Sequence, residues 1–207
     1  LPMFMAILLN ELRNGPIKKF TQTFTTLPNF ISWVIIFSLA TALFASDGIV
    51  TGLATAMGLG DASNSLLGSN EAVYWFQSFL LQWKTLGWNS IIYMAAISGI
   101  DQEQYEAAYF QCALHVTLPA MMETFVVLFI LNIGNFLNTG YEQYLLFKNS
   151  LTATNIEVLD LYTYRIGLQN MDYSYGVAIS VVKSLVSITL VVVANLVAKK
   201  IRGRAVI

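Results

Sequence analysis

The sequence predicts an all-α membrane protein, a polytopic bundle of about five helices. Only 11% of its 207 residues are charged and 56% are hydrophobic, whereas soluble domains carry about 25% charged residues. Several apolar stretches also approach or exceed the roughly 20 residues that a helix needs to cross a hydrocarbon core about 30 Å thick. Basic residues gather in two short stretches, as they do on the cytoplasmic side of membrane proteins.

The same composition argues against three other classes of protein. So many apolar groups cannot be buried in one small soluble enzyme. A net charge of −1 provides no positive field for nucleic acid. One cysteine, Cys112, cannot form a disulfide within the chain, and with a single histidine it argues against a zinc site.

The first three apolar segments occupy residues 1–12, 27–45 and 73–100. The first is too short to span alone and lacks the features of a signal peptide, so we expect further helices before it. The second has Pro28 near its start and Asp47-Gly48 after its end. Polar residues interrupt the third, which is expected to span over its second two-thirds: Gln77, Gln82, Lys84 and Asn89.

The last two segments occupy residues 119–139 and 175–198. Pro119 begins the fourth segment, where its missing N–H costs nothing. The fifth is the most apolar and carries one charge, Lys183, before a basic tail at 199–204. With Arg13, Lys18 and Lys19, this tail predicts that the first connection, the loop 101–118 and the C-terminus are cytoplasmic, and that 140–172 lies outside.

The loop before the fourth segment has a composition suited to a short helix. Asp101 is a candidate N-cap, and Gln104 completes a pattern like a capping box. The small pair Ala107-Ala108 would allow another protein to approach closely. On these residues alone, a solvated helical connection is an equally good interpretation.

Glu106-Ala107-Ala108, followed by Leu118-Pro119 between two membrane helices, resembles the EAA loop of bacterial ABC importer permeases. Stretches at 9–14, 91–101, 131–134 and 141–143 are similar to the carbohydrate-importer, LplB-like branch of these binding-protein-dependent systems. The resemblance covers nearly the whole chain. It implies one ABC importer transmembrane domain over 1–207, with a cytoplasmic coupling loop at 99–119.

One departure from the family lies inside this loop. The family has several more residues, usually including Asp-Gly-Ala, between the EAA motif and Leu-Pro. The shortening falls between Phe110 and Gln111, and the flanks on both sides still fit. We therefore expect the natural chain to be longer here and before Leu1. An intact mass well above 23.0 kDa would support this expectation.

The resemblance implies a permease subunit that is not an enzyme, in the bacterial cytoplasmic membrane. It implies a second homologous permease, two cytoplasmic ATPases and an extracytoplasmic solute-binding protein that delivers an oligosaccharide. ATP and Mg would be bound by the ATPases and no cofactor by this chain, which lacks the G-x-x-x-x-G-K-[ST] phosphate loop. In the family, the coupling loop occupies a cleft of an ATPase, which assigns that contact to Glu106, Ala107, Ala108, Leu118 and Pro119.

Polar side chains within the apolar segments predict a path for cargo. At 100° per residue, one arc of the fourth segment, continued to residue 142, carries Thr124, Asn132, Asn135, Asn138, Thr139 and Glu142. Lipid offers amides no partner, so this face should line the bundle interior or a wet cavity. Lys183 in the fifth segment would suit an acidic, uronate-type sugar. The alternative is that the amides only bond helix to helix.

Two other functions compete with an importer. An ion-coupled secondary transporter would need carboxylates within the membrane, whereas Glu123 and Glu142 lie near segment ends. A non-transporting membrane scaffold would use the polar residues for helix packing alone. Transport without an ATPase would favour the first, and polar substitutions without any transport defect would favour the second.

Overall fold

A computed structural model of the chain describes residues 1–12, 15–58, 67–100 and 117–202. Every regular element in these ranges is helical, which confirms the all-α class. The α-helices, numbered in chain order, are α1 Pro2–Glu11, α2 Pro16–Thr26, α3 Trp33–Phe44, α4 Ile49–Ala56, α5 Val73–Ser98, α6 Leu118–Gly134, α7 Glu142–Phe147, α8 Leu159–Tyr164 and α9 Tyr173–Arg202.

The structure divides the predicted segments into more and shorter helices. The predicted segment 27–45 begins with a 3-10 turn at Leu27–Phe30, and α3 starts only after Ser32, whose hydroxyl accepts a hydrogen bond from the Ile35 N–H at 3.4 Å. Helices α2 and α4 lie in stretches where the sequence predicted no segment. Pro16 opens α2 after Gly15, a usual position for proline in a helix.

Two stretches of the described residues are long and apolar enough to cross a membrane. They are Trp33–Ala56, which runs through α3 and α4, and Tyr173–Lys200 within α9, with mean hydropathies of 1.9 and 2.4. Many of the apolar side chains of α9 are exposed, among them Val182, Leu185 and Ile188. Helix α6 is also apolar but has 17 residues, about 25 Å of helix. Helix α5, with 26 residues, is long enough but contains more polar groups.

The chain forms two compact units. The first unit comprises Leu1–Phe30, Gln82–Asn135 and Ser187–Ile207. Its core is formed where Ala6 of α1, Tyr93 and Ile97 of α5 and Met121 of α6 pack together, all of them buried. Gly87 of α5 lies against the backbone of α2, since a Cβ built there would be 2.2 Å from the Thr25 carbonyl oxygen.

The second unit comprises Ile31–Leu81 and Phe136–Val186. Three helices meet in it through aromatic rings packed edge to face. The Phe147 ring of α7 lies 5.0 Å from Phe37 of α3 and 6.0 Å from Phe76 of α5, centroid to centroid. Phe44 of α3 approaches Phe76 at 5.4 Å. Such pairs stabilise packing by about 0.5–1.5 kcal/mol beyond the area they bury.

The predicted continuous helix from 119 to 139 is wrong at its C-terminal end. Helix α6 ends at Gly134, and Asn135 caps it with φ −89° and ψ 5°. The chain then turns, and Gly140 has a φ of +76°, a conformation that favours glycine. Gly-Asn is a common helix stop signal, which the apolar pattern outweighed in the prediction. Asn138, Thr139 and Glu142 therefore do not continue the helix face that carries Asn132.

Candidate functional site: a polar cluster in the second unit

Asp160 is the centre of the polar cluster in the second unit. It lies in the first turn of α8, and its carboxylate pairs with the ammonium of Lys183 on α9. The other carboxylate oxygen accepts a hydrogen bond from the Gly140 N–H at 2.8 Å. The Lys183 and Asp160 side chains are only 16% and 14% exposed. One carboxylate thus joins the segment after α6 to both α8 and α9.

Tyr144 of α7 lies near this carboxylate. Burial raises the pKa of its phenol, and the negative charge of Asp160 raises it further. The phenol therefore stays protonated where an exposed tyrosine would begin to ionise, and it remains a hydrogen-bond donor throughout the physiological range.

Two tyrosine rings stack beside the Asp160 contacts. The rings of Tyr141 and Tyr164 are nearly parallel, at 9°, with their centroids 4.4 Å apart. Tyr141 remains 41% exposed. An exposed ring with a hydroxyl combines an apolar face with a polar tip. This combination suits a sugar, which also presents C–H faces and hydroxyl edges.

A second ionic group lies around Glu157. Its carboxylate contacts Lys148 at 3.5 Å and Arg165 at 2.6 Å. The guanidinium of Arg165 also lies 5.6 Å from the ring centre of Tyr162. A side-chain hydrogen bond with Tyr175 raises the pKa of Tyr162, and the charge of Arg165 opposes this shift. These contacts hold the segment 148–165 in place.

Two polar residues that interrupt the apolar pattern of α5 have bonds inside their own units. In the second unit, the amide of Gln143 donates to the Gln77 side-chain oxygen at 2.6 Å and to its backbone oxygen at 3.1 Å, and both side chains are buried. In the first unit, the Lys84 ammonium donates to the carbonyls of Pro28 and Asn29, each at 3.2 Å. Gln77 and Lys84 thus each form hydrogen bonds that join α5 to another part of the same unit.

The structure brings together only part of the predicted substrate path. Asn138, Glu142 and Lys183 all belong to the second unit, and Asn138 and Glu142 are exposed on either side of Gly140. Asn132 and Asn135 belong to the first unit. Asn132 donates its amide to the Leu128 carbonyl of its own helix at 2.7 Å, so this bond does not join two helices.

Lys183 is an ion-pair partner within the chain, where the sequence predicted a cation for cargo. In the described part of the second unit, acidic side chains outnumber basic ones. The acids are Asp47, Glu71, Glu142, Glu157, Asp160 and Asp172, and the bases are Lys148, Arg165 and Lys183. The geometry therefore does not provide Lys183 as a free cation.

Asp160 was missed at the sequence level because no local pattern marks it. It precedes Lys183 by 23 positions, in a stretch with no helix periodicity to place it. The only signal was the cost of Lys183 itself, since a charge in an apolar helix requires a partner of opposite charge. The predicted coupling residues Glu106, Ala107 and Ala108, and the shortening at Phe110, lie outside the described residues. Pro119 lies in the first turn of α6, as predicted, and the helix begins one residue earlier, at Leu118, which the sequence assigned to the loop.

Among the described residues, no group of three or more histidine, cysteine and acidic side chains could hold a metal ion. Long apolar helices with many exposed apolar side chains, and polar groups that bond within their own unit, are typical of a helical membrane protein. The chain belongs to the family of binding-protein-dependent transport system inner membrane components, which matches residues 1–204. It is thus a transport component and not an enzyme, as its resemblance to importer permeases implied.

Two similar proteins come from Bacillus subtilis strain 168. Protein LplB is 40% identical over 209 residues, and the polygalacturonan/rhamnogalacturonan transport system permease protein YteP is 41% identical over 209 residues. Each alignment covers 96% of this chain and 64% of the relative. The chain therefore spans less than two thirds of the length of these relatives.

Two solved structures have the same fold. One is of a bacterial ABC transporter involved in the import of the acidic polysaccharide alginate, with a TM-score of 0.89, 30% identity, and coverage of 97% of this chain and 72% of that one. The other is of a bacterial alginate ABC transporter in complex with an alginate pentasaccharide-bound periplasmic protein. It has a TM-score of 0.90, 29% identity, and coverage of 99% and 73%.

Proposed function

We propose that this chain is the membrane-spanning permease subunit of an ATP-driven ABC importer, which moves an oligosaccharide delivered by an extracytoplasmic binding protein. The observation that supports this most is the match in fold to alginate importers over almost the entire chain, together with its family. The permease would pair with a second, homologous one to enclose the path. Two cytoplasmic ATPases would bind ATP and Mg and drive the cycle.

The coupling contact is assigned to Glu106, Ala107 and Ala108, with Leu118 and Pro119 at the end of the loop. Support comes from the start of α6 at Leu118, with Pro119 in its first turn. Because α6 continues from there as one 17-residue helix, movement of the loop would act directly on a rigid element. ATP-driven closure of the ATPases would move the helices as rigid bodies.

Asn132, Asn135, Asn138 and Glu142 are proposed to contact cargo, with the exposed ring of Tyr141 beside Glu142. Support comes from the exposure of these polar groups in a protein whose outward surface is largely apolar. Lys183 is proposed to act through Asp160, by holding the segment after α6 in position. Contacts with cargo would drive the cycle only if cargo binds the outward and inward states with different affinity.

A uronate-type cargo remains part of the proposal on the basis of the relatives alone. The similar transporters are named for alginate and for polygalacturonan. The pairing of Lys183 with Asp160 provides no support for it. Arg165 is the better candidate for binding a carboxylate, because 40% of its side chain remains exposed while it contacts Glu157.

The proposed orientation places the C-terminus and the first connection in the cytoplasm. Support comes from the basic residues Arg13, Lys18 and Lys19 and the tail beyond Ala198. Accordingly, the segment that contains Asp160 would be extracytoplasmic, where a binding protein could reach Tyr162, Tyr164 and Arg165.

The test is uptake by proteoliposomes that contain the complete transporter and its binding protein. We expect oligosaccharide uptake to require internal ATP and the binding protein, and to stop when either is omitted. Uptake driven by a proton or sodium gradient without ATP would instead identify a secondary transporter. Both assays use the same vesicles. Their ATPase activity is measured as a control, because vesicles without it would not contain the reconstituted transporter.

The coupling contact has its own test. Ala108→Trp should overfill the contact, so that the ATPase no longer co-purifies with the permease pair in detergent. Ala108→Ser, a small change at the same position, is the matched control and should retain the ATPase. Equal retention by both variants would place the contact elsewhere in the chain.

A further inference from the structure

A run of exposed, mostly polar residues follows α6 at 138–142, where the sequence is Asn-Thr-Gly-Tyr-Glu. Lipid offers no hydrogen-bond partners to such groups. In the membrane setting of the family, this run therefore lies against water or another polar surface. Although it is exposed throughout, contacts with α8 hold it in place.

Two residues of α8, one helical turn apart, make these contacts. The Asp160 carboxylate accepts a hydrogen bond from the Gly140 N–H at 2.8 Å. The Tyr164 ring stacks on that of Tyr141, with the centroids 4.4 Å apart and the planes 9° apart. Residues four positions apart lie on one face of a helix, so both contacts come from the same face of α8. The Tyr141 carbonyl also accepts from the Leu145 N–H at 2.8 Å, which fixes its backbone at the start of α7.

Helix α9 in turn supports α8 at two points. Lys183 of α9 pairs with Asp160, and Gly176 packs against Gly167, seven positions before Lys183 and seven after Asp160. A Cβ built at Gly176 would lie 3.0 Å from the Gly167 Cα, so the two backbones are in contact there. Tyr164 lies between these two points in the sequence. The ring that stacks on Tyr141 therefore has a fixed support.

Stacking on Tyr164 covers one face of the Tyr141 ring. Because 41% of Tyr141 remains exposed, its other face and its hydroxyl edge are open. The face of an aromatic ring is negatively polarised and attracts positively polarised C–H groups, which a pyranose presents on the faces of its ring. Asn138 and Glu142, exposed on either side, carry groups that can bond to sugar hydroxyls.

We propose that Tyr141 forms a stacking subsite for one pyranose ring of the cargo. The C–H face of the sugar lies on the free face of Tyr141, and its hydroxyls bond to Asn138 and Glu142. Tyr164 does not touch the sugar and is a positioning residue, because it fixes the plane of the Tyr141 ring. A ring that is held before cargo arrives loses little conformational freedom on binding. The subsite rests on the proposed importer function and specifies which face of the sugar is bound.

Uptake by proteoliposomes tests the subsite in the working transporter, with its binding protein and ATP. The probes are trigalacturonate and an alginate trisaccharide, because similar transporters are named for polygalacturonan and alginate. Tyr141→Leu should raise the probe concentration for half-maximal uptake about tenfold without lowering the maximal rate, since it removes one stacking contact. Tyr141→Phe keeps the ring and should stay within about threefold of the parent. Tyr173→Leu, at another exposed tyrosine of the second unit, is the matched control.

Saturation-transfer NMR on the transporter in nanodiscs of deuterated lipid, without the binding protein, identifies the sugar face in contact. Saturation of aromatic protons should pass mainly to the C–H protons of one pyranose face in the parent and in Tyr141→Phe, and should fall in Tyr141→Leu. Tyr164→Leu leaves the Tyr141 ring free to turn, so transfer should spread over both faces of the sugar. Tyr164→Phe should restore the selectivity for one face.

The outcomes separate the subsite from the importer function. Absence of ATP-dependent uptake of either probe by the parent would reject that function, and the subsite with it. A parent that transports, with uptake and transfer unchanged in Tyr141→Leu, would overturn the subsite alone. Equal losses in Tyr141→Leu and Tyr141→Phe would assign the effect to the hydroxyl and contradict stacking. Loss of the second permease from purified Tyr141→Leu would place the ring at the contact between the two permeases instead.

Discussion

Asp160 and Lys183 form an ion pair between the start of α8 and the middle of α9, with each side chain at least four-fifths buried. Lys183 would be costly in an apolar helix without a partner, because its charge would leave water uncompensated. Asp160 compensates this charge, and its carboxylate also accepts a hydrogen bond from the Gly140 N–H. The pair therefore fixes the segment that follows α6, which carries Asn138 and precedes Glu142.

Breaking this pair should destabilise the protein more than removing both charges. Asp160→Asn or Lys183→Gln alone leaves one partly buried charge unpaired, with an expected cost of about 2–3 kcal/mol, between that of exposed and fully buried pairs. Asp160→Asn together with Lys183→Gln should recover part of the loss. Unfolding in detergent, followed for the parent and the three variants, measures this coupling. Additive effects of the two single changes would contradict the pair.

Ionisation of Tyr144 should report on the charge of Asp160. The pKa of Tyr144 is raised from 10.0, so the folded state keeps a proton that the unfolded chain loses. The resulting stabilisation is present below pH 10 and is lost as the pH rises through the folded-state pKa. Asp160→Asn should lower the Tyr144 pKa without returning it to 10.0, because burial is the larger cause.

Tyrosinate absorbance can be used to measure this shift. The difference between each protein and its Tyr144→Phe derivative isolates one of the ten tyrosines. An unchanged midpoint in Asp160→Asn would show that the two groups are not close. Glu142→Gln, a nearby charge change that does not contribute to the Tyr144 shift, serves as the control.

Because the side chains of Gln77 and Gln143 form a buried hydrogen bond, single and double substitutions at these positions should change the stability by different amounts. Gln77→Leu leaves the buried Gln143 amide without its side-chain acceptor, which should cost about 1–3 kcal/mol. Gln77→Leu together with Gln143→Leu removes both polar groups and should cost less than the single change. Thermal unfolding in detergent compares them. A double variant that is less stable than either single variant would indicate a role for the amides beyond this contact.

Gly87 and Gly52 allow a matched test of helix packing. A Cβ at Gly87 would lie 2.2 Å from the Thr25 carbonyl oxygen, whereas nothing lies within 4 Å of one at Gly52. Gly87→Ala should destabilise the protein by about 1–3 kcal/mol through displacement of α2 from α5. Gly52→Ala, within α4, should instead stabilise it by up to about 1 kcal/mol. Equal effects would mean that α2 does not pack on α5 through Gly87.

The all-α fold class and the main apolar segments were predictable because they depend on local features of the sequence. Apolar runs, and Pro119 in the first turn of a helix, lie within a few residues of the structure that they predict. The pairs Asp160–Lys183 and Gln77–Gln143 join residues 23 and 66 positions apart, and no local pattern encodes such contacts. The end of α6 was misplaced because the Gly134-Asn135 stop signal stands inside a stretch that remains apolar enough to continue.

Asn138 and Glu142 should affect transport without affecting assembly. Both are exposed on either side of Gly140, so their removal breaks no buried contact. Loss of one hydrogen bond to a cargo hydroxyl costs about 1 kcal/mol, which is about a fivefold change in affinity. Asn138→Ala and Glu142→Ala should therefore raise the cargo concentration for half-maximal uptake several-fold, with ATPase retention unchanged. Ser38→Ala, at an exposed hydroxyl that bonds only within α3, is the control and should behave as the parent. Unaltered uptake by both variants would remove these residues from the path.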